Sequence, residues 1–272
     1  MKRLFCFFLI LSFMLIAANA QVYQQVPNAG TINWQDQIIR ATGIGAPNPK
    51  MPLAAQRAGA LEAAKRVALR NLLETVKGMS ITSETTVENA MIASDVITTR
   101  VTGIIRNFKV VDTRYMSTGD VEVDVEVPIS GVLADALLPP QGMPMAPGQG
   151  YGQITPQQNF VFTGLIIDAK GVSVRPAMAP KILDEQGKEV YGSGFVSREY
   201  AVNIGVVGYE KDLNRARKNE RVTDNPLVVK ALKSSGSNKN DIVISNSDAQ
   251  NVLAAAKNLN FMEQCKVMII LD

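Results

Sequence analysis

The sequence predicts an α+β protein of two small domains, the first with two helices packed on a mainly antiparallel sheet and the second a mixed α+β unit. Three observations carry that prediction. The hydrophobic period is about 3.6 between Pro52 and Gly103 and falls to two afterwards. The run Val121-Glu122-Val123-Asp124-Val125-Glu126-Val127 alternates without a break, as a strand with one buried face must. Between residues 134 and 158 nine positions are Pro or Gly, which cannot sustain a ladder of backbone hydrogen bonds.

The chain opens with Lys2 and Arg3, an apolar run from Leu4 to Ala18 and the small-x-small site Ala18-Asn19-Ala20. Residues 1–20 therefore read as a Sec signal peptide, since the run is short of the ~20 residues a spanning helix needs. No later stretch approaches that length, so no transmembrane segment is expected after cleavage. The mature protein is expected in the periplasm. Cys6 lies inside the apolar run, where it offers no acceptor for lipidation.

The first domain is placed at 30–135. Gln37 to Gly45 is a strand candidate stopped by Pro47 and Pro49. From Pro52 to Lys77, Ala58, Leu61, Ala64, Ala68 and Leu72 fall at helical steps, with Leu69, Leu73 and Val76 broadening the stripe. Glu62, Arg66, Arg70 and Glu74 form the opposite, charged line, and Gly78 is the C-cap candidate. A second helix is expected from the capping pair Thr85 and Glu88 up to Gly103, one face marked by Val87, Ala90, Met91, Ser94, Ile97 and Val101. Ile104 to Val110 and Val121 to Val127 then form two strands around a turn at Ser117 to Asp120.

The run Ala41-Thr42-Gly43-Ile44-Gly45, the Ala-rich helix from Ala54 to Arg66, the Gly103-Ile104-Ile105 start and the strand Val121 to Val127 ending at Pro128-Ile129 resemble the LPP-twenty-type lipoprotein family. The N-terminal domain of flagellar assembly protein T is similar. The resemblance covers residues 35–133 and implies an exported α+β module used near the outer membrane or flagellar rings, with no catalytic residue to carry over. This sequence lacks the acylated cysteine of those lipoproteins.

Residues 136–158 are read as a linker, and 159–272 as the second domain. Phe160 to Asp168 is nearly continuous in apolar character and predicts a buried strand. Pro180 to Tyr191 predicts a hairpin around Asp184 to Lys188. Ser197 to Lys218 predicts helix interrupted at Gly205 and Gly208. Leu227 to Ala231, Asp241 to Ile244 and Lys266 to Leu271 are strands, and Ser247 to Ala256 is a helix opened by a Ser247/Gln250 capping box.

Composition narrows the chemistry. With no histidine, Ser-His-Asp and Cys-His catalysis and imidazole-ligated zinc are excluded. Of the net charge of +3, Lys2 and Arg3 supply two, so nucleic acid is not the expected partner. Cys265, the one thiol left after cleavage, reads as a buried small hydrophobe or as half of an intermolecular bridge.

Each remaining motif has a plain reading beside a chemical one. Gly43-Ile44-Gly45 opens like a dinucleotide fingerprint, but the third glycine would fall at Asn48, between Pro47 and Pro49; the glycines are expected to let the chain turn off the sheet. Glu122, Asp124 and Glu126 could bind calcium, yet alternate side chains on a strand stand about 6.5–7 Å apart. A charge ladder with Lys109, Arg106 or Arg114 explains them better.

Lys211 to Arg221 is the most basic stretch, a solvated face or a contact for anionic headgroups or an acidic partner surface. Gly192-Ser193-Gly194 is a turn, without the frame of a nucleophile elbow, and Met143-Pro144-Met145 is a weak copper pair. No catalytic, cofactor-binding or metal-binding residue is assigned and no cofactor is expected. The sequence is read as a non-catalytic structural or assembly factor of the bacterial envelope, working in an outer-membrane or other envelope protein complex with some peripheral membrane contact. The alternative is a periplasmic module binding peptidoglycan, lipid or a protein.

Overall fold

A computed structural model of the protein describes residues 21–139, 161–256 and 260–272. The expected signal peptide, the linker from 140 onward and Met143-Pro144-Met145 lie outside the described residues.

The N-terminal half is a five-stranded, wholly antiparallel sheet. Its strands are β1 (Tyr23–Val26), β2 (Gly30–Asn33), β3 (Ile38–Gly45), β4 (Lys109–Tyr115) and β5 (Val121–Pro128), ordered β1-β2-β3-β5-β4. The long helix α1 (Leu53–Lys77) lies on one face. Val121, Val123 and Val125 of β5 are fully buried beneath it, while Glu122, Asp124 and Glu126 point the other way, as the alternation predicts.

The packing of α1 explains a motif that the sequence left as a turn. Gly43 does not lead the chain off the sheet but sits inside β3, while Gly45 is the last residue of the strand. A Cβ on Gly43 would stand 2.2 Å from both the Ala64 carbonyl oxygen and the Ala68 nitrogen, and one on Gly45 2.1 Å from the Ala60 oxygen. The helix presents Ala60, Ala64 and Ala68, all fully buried, to these glycines, so backbone meets backbone. Ala58, expected on this line, is exposed; the buried line starts at Ala60. The charged line Glu62, Arg66, Arg70 and Glu74 is exposed as expected.

The expected second helix is two. α2 (Val87–Ala93) is capped by Thr86, whose Oγ1 accepts from the Asn89 amide at 3.2 Å, so the cap is one residue past the expected Thr85. Ser94 breaks the run in extended geometry and caps α3 (Asp95–Arg106). The helix carries past Gly103, so Ile104 is helical, and β4 is an edge strand with Val110 and Val111 partly exposed around a bulge. A short helix, α4 (Val132–Leu137), follows β5. It carries the ordered chain into the stretch read as linker: Ala136, Leu137 and Leu138 are buried.

The C-terminal half is a seven-stranded mixed sheet. Its strands are β6 (Gly164–Asp168), β7 (Ile182–Leu183), β8 (Glu189–Tyr191), β9 (Gly208–Glu210), β10 (Pro226–Ser235), β11 (Asp241–Ile244) and β12 (Val267–Ile270), ordered β8-β7-β11-β10-β6-β12-β9. β6, β12 and β9 run parallel, and β6 is also parallel to β10. β7 and β8 form the expected hairpin; Asp184 Oδ1 accepts from the Gln186 and Lys188 amides, and Gly187 takes φ +82°.

The stretch from Ser197 to Lys218 contains two helices, α5 (Arg198–Ile204) and α6 (Leu213–Arg217), with β9 between them. α7 (Asn246–Ala256) is capped not by Ser247 but by Ser245, whose Oγ accepts from the Asp248 amide at 3.0 Å. The central strands are buried on both faces: Leu165, Ile167, Val267 and Ile269 join the main core, while Ile166, Met268 and Ile270 pack with Ala216 of α6 and Val222.

One continuous core runs through both halves. The loop after α1 reaches across, its Ser80 and Ile81 carbonyls accepting from the Met178 and Ala179 amides at 3.0 and 2.8 Å. Trp34 meets Tyr209 edge to face at 5.8 Å.

Candidate functional site

Two places gather polar side chains: the open face of the N-terminal sheet and the seam between the halves. On the open face every acid of β5 has a basic partner. Glu126 is paired with Arg40 at 3.3 Å and Lys109 at 3.5 Å. Arg114 holds Asp124 at 2.7 Å and Glu122 at 3.1 Å, and reaches Asp112 as well. Asp112 and Asp124 stand directly opposite in the β4–β5 register, a like-charge pairing that Arg114 offsets. The Arg114 guanidinium holds the Asp124 carboxyl below its usual range, with help from the Thr42 hydroxyl at 2.6 Å. The three acids expected to form a charge ladder do so. Arg106, one of the partners considered, ends α3, and Arg40 on β3 takes that place.

Along the seam polar side chains meet at several points. Ser83, at the tip of the loop after α1, is fully buried and donates to Asp241 Oδ2, while Asp241 Oδ1 accepts from the Lys181 amide at 2.8 Å. Burial raises the Asp241 carboxyl above its usual range, against the hydrogen bonds from Ser83 and Lys181. Gly236 makes room for this tip, since a Cβ there would stand 2.3 Å from the Ser83 Cβ. Asp135 of α4 is clamped between Arg198 of α5 at 2.9 Å and Arg100 of α3 at 3.0 Å, and these guanidinium groups lower its pKa. Gln35 donates to Glu210 at 3.1 Å, and Gln37 to the Ile204 carbonyl at 2.8 Å.

The basic stretch of residues 211–221 is largely spent inside the fold. Asp212 caps α6, and Arg215 pairs with the buried Glu210 at 2.8 Å. Arg221 turns inward: its Nη1 donates to the Gly205 and Cys265 carbonyls at 3.0 and 2.8 Å, and its Nη2 to the Ile204 carbonyl. Burial lowers its pKa. Arg217 and Lys218 are exposed, but two cations beside Glu220 are a small patch.

Cys265 is buried among these groups at φ +55°, and burial pushes its thiol up to about 12, which leaves it a packing group. The intermolecular bridge considered for it has no accessible sulfur to start from. Gly192-Ser193-Gly194 runs into a single 3₁₀ turn at Ser193–Phe195, as read.

Beside Arg221 the seam opens into a polar cleft of about 290 Å³, lined by Asp36, Gln37, Ser130, Asn203, Tyr209 and Asn219. No motif in the sequence pointed to it. Its residues come from both halves, and none forms a motif with its neighbours in the chain.

Two segments of the chain match known families. Residues 40–128 match the model of the LPP20 lipoprotein family, and residues 164–272 that of the second domain of Treponema pallidum Tp0624. None of the curated proteins matches the chain. The first match covers β3 from Arg40, β4, β5 and the helices between them but not β1 and β2, and the second covers the whole seven-stranded sheet from β6 to β12. The chain thus joins a segment similar to the LPP20 lipoproteins to one similar to the second domain of Tp0624.

Proposed function

We propose that this protein is a non-catalytic structural or assembly factor of the bacterial cell envelope, exported to the periplasm and acting at the outer membrane or in the flagellar rings. One observation carries the reading: two segments similar to separately recognised families share a single hydrophobic core. Similarity to a lipoprotein family favours the envelope as the place of action. Two sheets on one shared core, one of them with a charged open face, are suited to hold two partners together.

In-cell crosslinking followed by envelope fractionation tests this. Co-purification with an outer-membrane or flagellar complex is expected, and loss of motility on deletion would select the flagellar role. A freely soluble monomer with no crosslinked partner sinks the proposal.

A second reading, a periplasmic module binding peptidoglycan, lipid or a protein ligand, is favoured by the polar cleft at the seam.

A further inference from the structure

Arg221 brings a full charge into the seam that no acid balances. Among the described residues no carboxylate pairs with it; burial keeps the neighbouring Tyr191 and Cys265 side chains protonated and neutral, and every hydrogen bond its guanidinium makes goes to a backbone carbonyl. A guanidinium has five N–H donors, and three are spent on Ile204, Gly205 and Cys265. The two left are on Nε and Nη2, adjacent nitrogens of the fork that takes a carboxylate side-on. The position is built: Gly208 of β9 has no side chain where a Cβ would stand 2.8 Å from Nε, which leaves room for the guanidinium.

A cation drawn out of water without a counter-charge is costly, and carbonyl dipoles offset only part of that cost. The cleft it borders has room for a small solute and offers amide groups on Gln37, Asn203 and Asn219. The Asn219 Oδ1 already accepts from the Arg221 amide at 2.9 Å and keeps that side chain at the wall. Asp36 also lines the cleft; its Oδ2 accepts from Gln21 and Asn33 at 3.1 and 2.7 Å, and its charge disfavours a doubly charged ligand such as phosphate more than a single carboxylate.

We infer that the seam cleft binds a single carboxylate, seated on Arg221 and flanked by the amides of Gln37 and Asn203. This goes beyond the assembly role and does not depend on it. The carboxylate comes from either a small organic acid or the free end of a peptide.

Amide NMR shifts of the purified protein, titrated at constant ionic strength with acetate, N-acetyl-alanyl-alanine and inorganic phosphate, distinguish these sources. Saturable shifts at Gly208, Asn203 and Asn219 are expected with the carboxylates. A dipeptide at least tenfold tighter than acetate assigns a peptide terminus, and equal affinities assign a small acid; both support the site. Arg221→Gln is expected to abolish the shifts. Because that variant also loses three structural hydrogen bonds, Asn203→Asp, at an exposed position, is the second probe and is expected to weaken binding at least tenfold by charge repulsion. Shifts that survive in Asn203→Asp, tighter binding of phosphate than of either carboxylate, or no saturable shift would each overturn the inference.

Discussion

The two sheets solve the burial problem in opposite ways. In the N-terminal half one face of an antiparallel sheet is covered by α1 and the other is left to water, so β5 alternates valine with acid. In the C-terminal half β6 and β12 run parallel and are covered on both sides, so both read as unbroken apolar runs. The first sheet depends on the closeness of one helix, the second on the volume of its side chains. Mutations should therefore hurt the two halves through different atoms: added methyl groups in the first, removed ones in the second.

The largest effect is expected from Gly43→Val. Its side chain has no rotamer that avoids the α1 backbone, so the helix must lift from β3 at a cost of about 4 kcal/mol or more. Urea unfolding followed by far-UV circular dichroism measures it. A loss under about 1 kcal/mol would mean that α1 can shift, and the contrast between the sheets would fail.

In the second sheet Ile167→Ala, at a fully buried position, is expected to cost about 3 kcal/mol through the cavity it leaves. Ser83→Ala comes next, about 1–3 kcal/mol, because it leaves the buried Asp241 carboxyl short of a donor. It also tests whether the halves unfold together. Cys265 labelling reports on the second half, and in the parent protein its rate should follow global unfolding. In Ser83→Ala, labelling and loss of the Trp34 signal should separate.

Acid should act oppositely on the two regions. Asp124 is held below its usual pKa, so its contribution is present above about pH 4 and lost as the pH falls. Asp241 is raised by burial, so its contribution is full below about pH 4 and lost as the pH rises through its folded value. Asp241→Asn should therefore gain stability relative to the parent between pH 4 and 7, measured by thermal unfolding across that range. The smallest effect is expected from Arg114→Ala on the open face. It leaves Asp112 and Asp124 opposed, a modest destabilisation that should vanish in 1 M salt and grow weaker as the acids protonate.

Much of this division was legible in the residues. The alternation of β5, the charged outer line of α1 and the hairpin at Asp184 follow from period and turn chemistry, which act over a few residues. β1, β2 and β9 were missed because they are three or four residues long and carry no clear alternation. The break at Ser94 was missed because the apolar spacing continues across it, while the serine stops the helix by capping the next one. The acidic ladder was readable because its partners lie on neighbouring strands. The seam was not: Ser83 meets Asp241 and Gln37 meets Ile204 across more than a hundred residues of chain, and no local rule joins them.

The contact between α1 and β3 has a consequence for how such modules change over time. Where two backbones touch, no larger side chain can be accommodated by neighbours moving aside, so Gly43, Gly45, Ala60, Ala64 and Ala68 must stay small while residues around them drift. A glycine pair two apart on a strand, followed by alanines spaced by four on a helix, is thus a fingerprint that can outlast overall similarity. Distant copies of this half could be found by it in sequences that share little else.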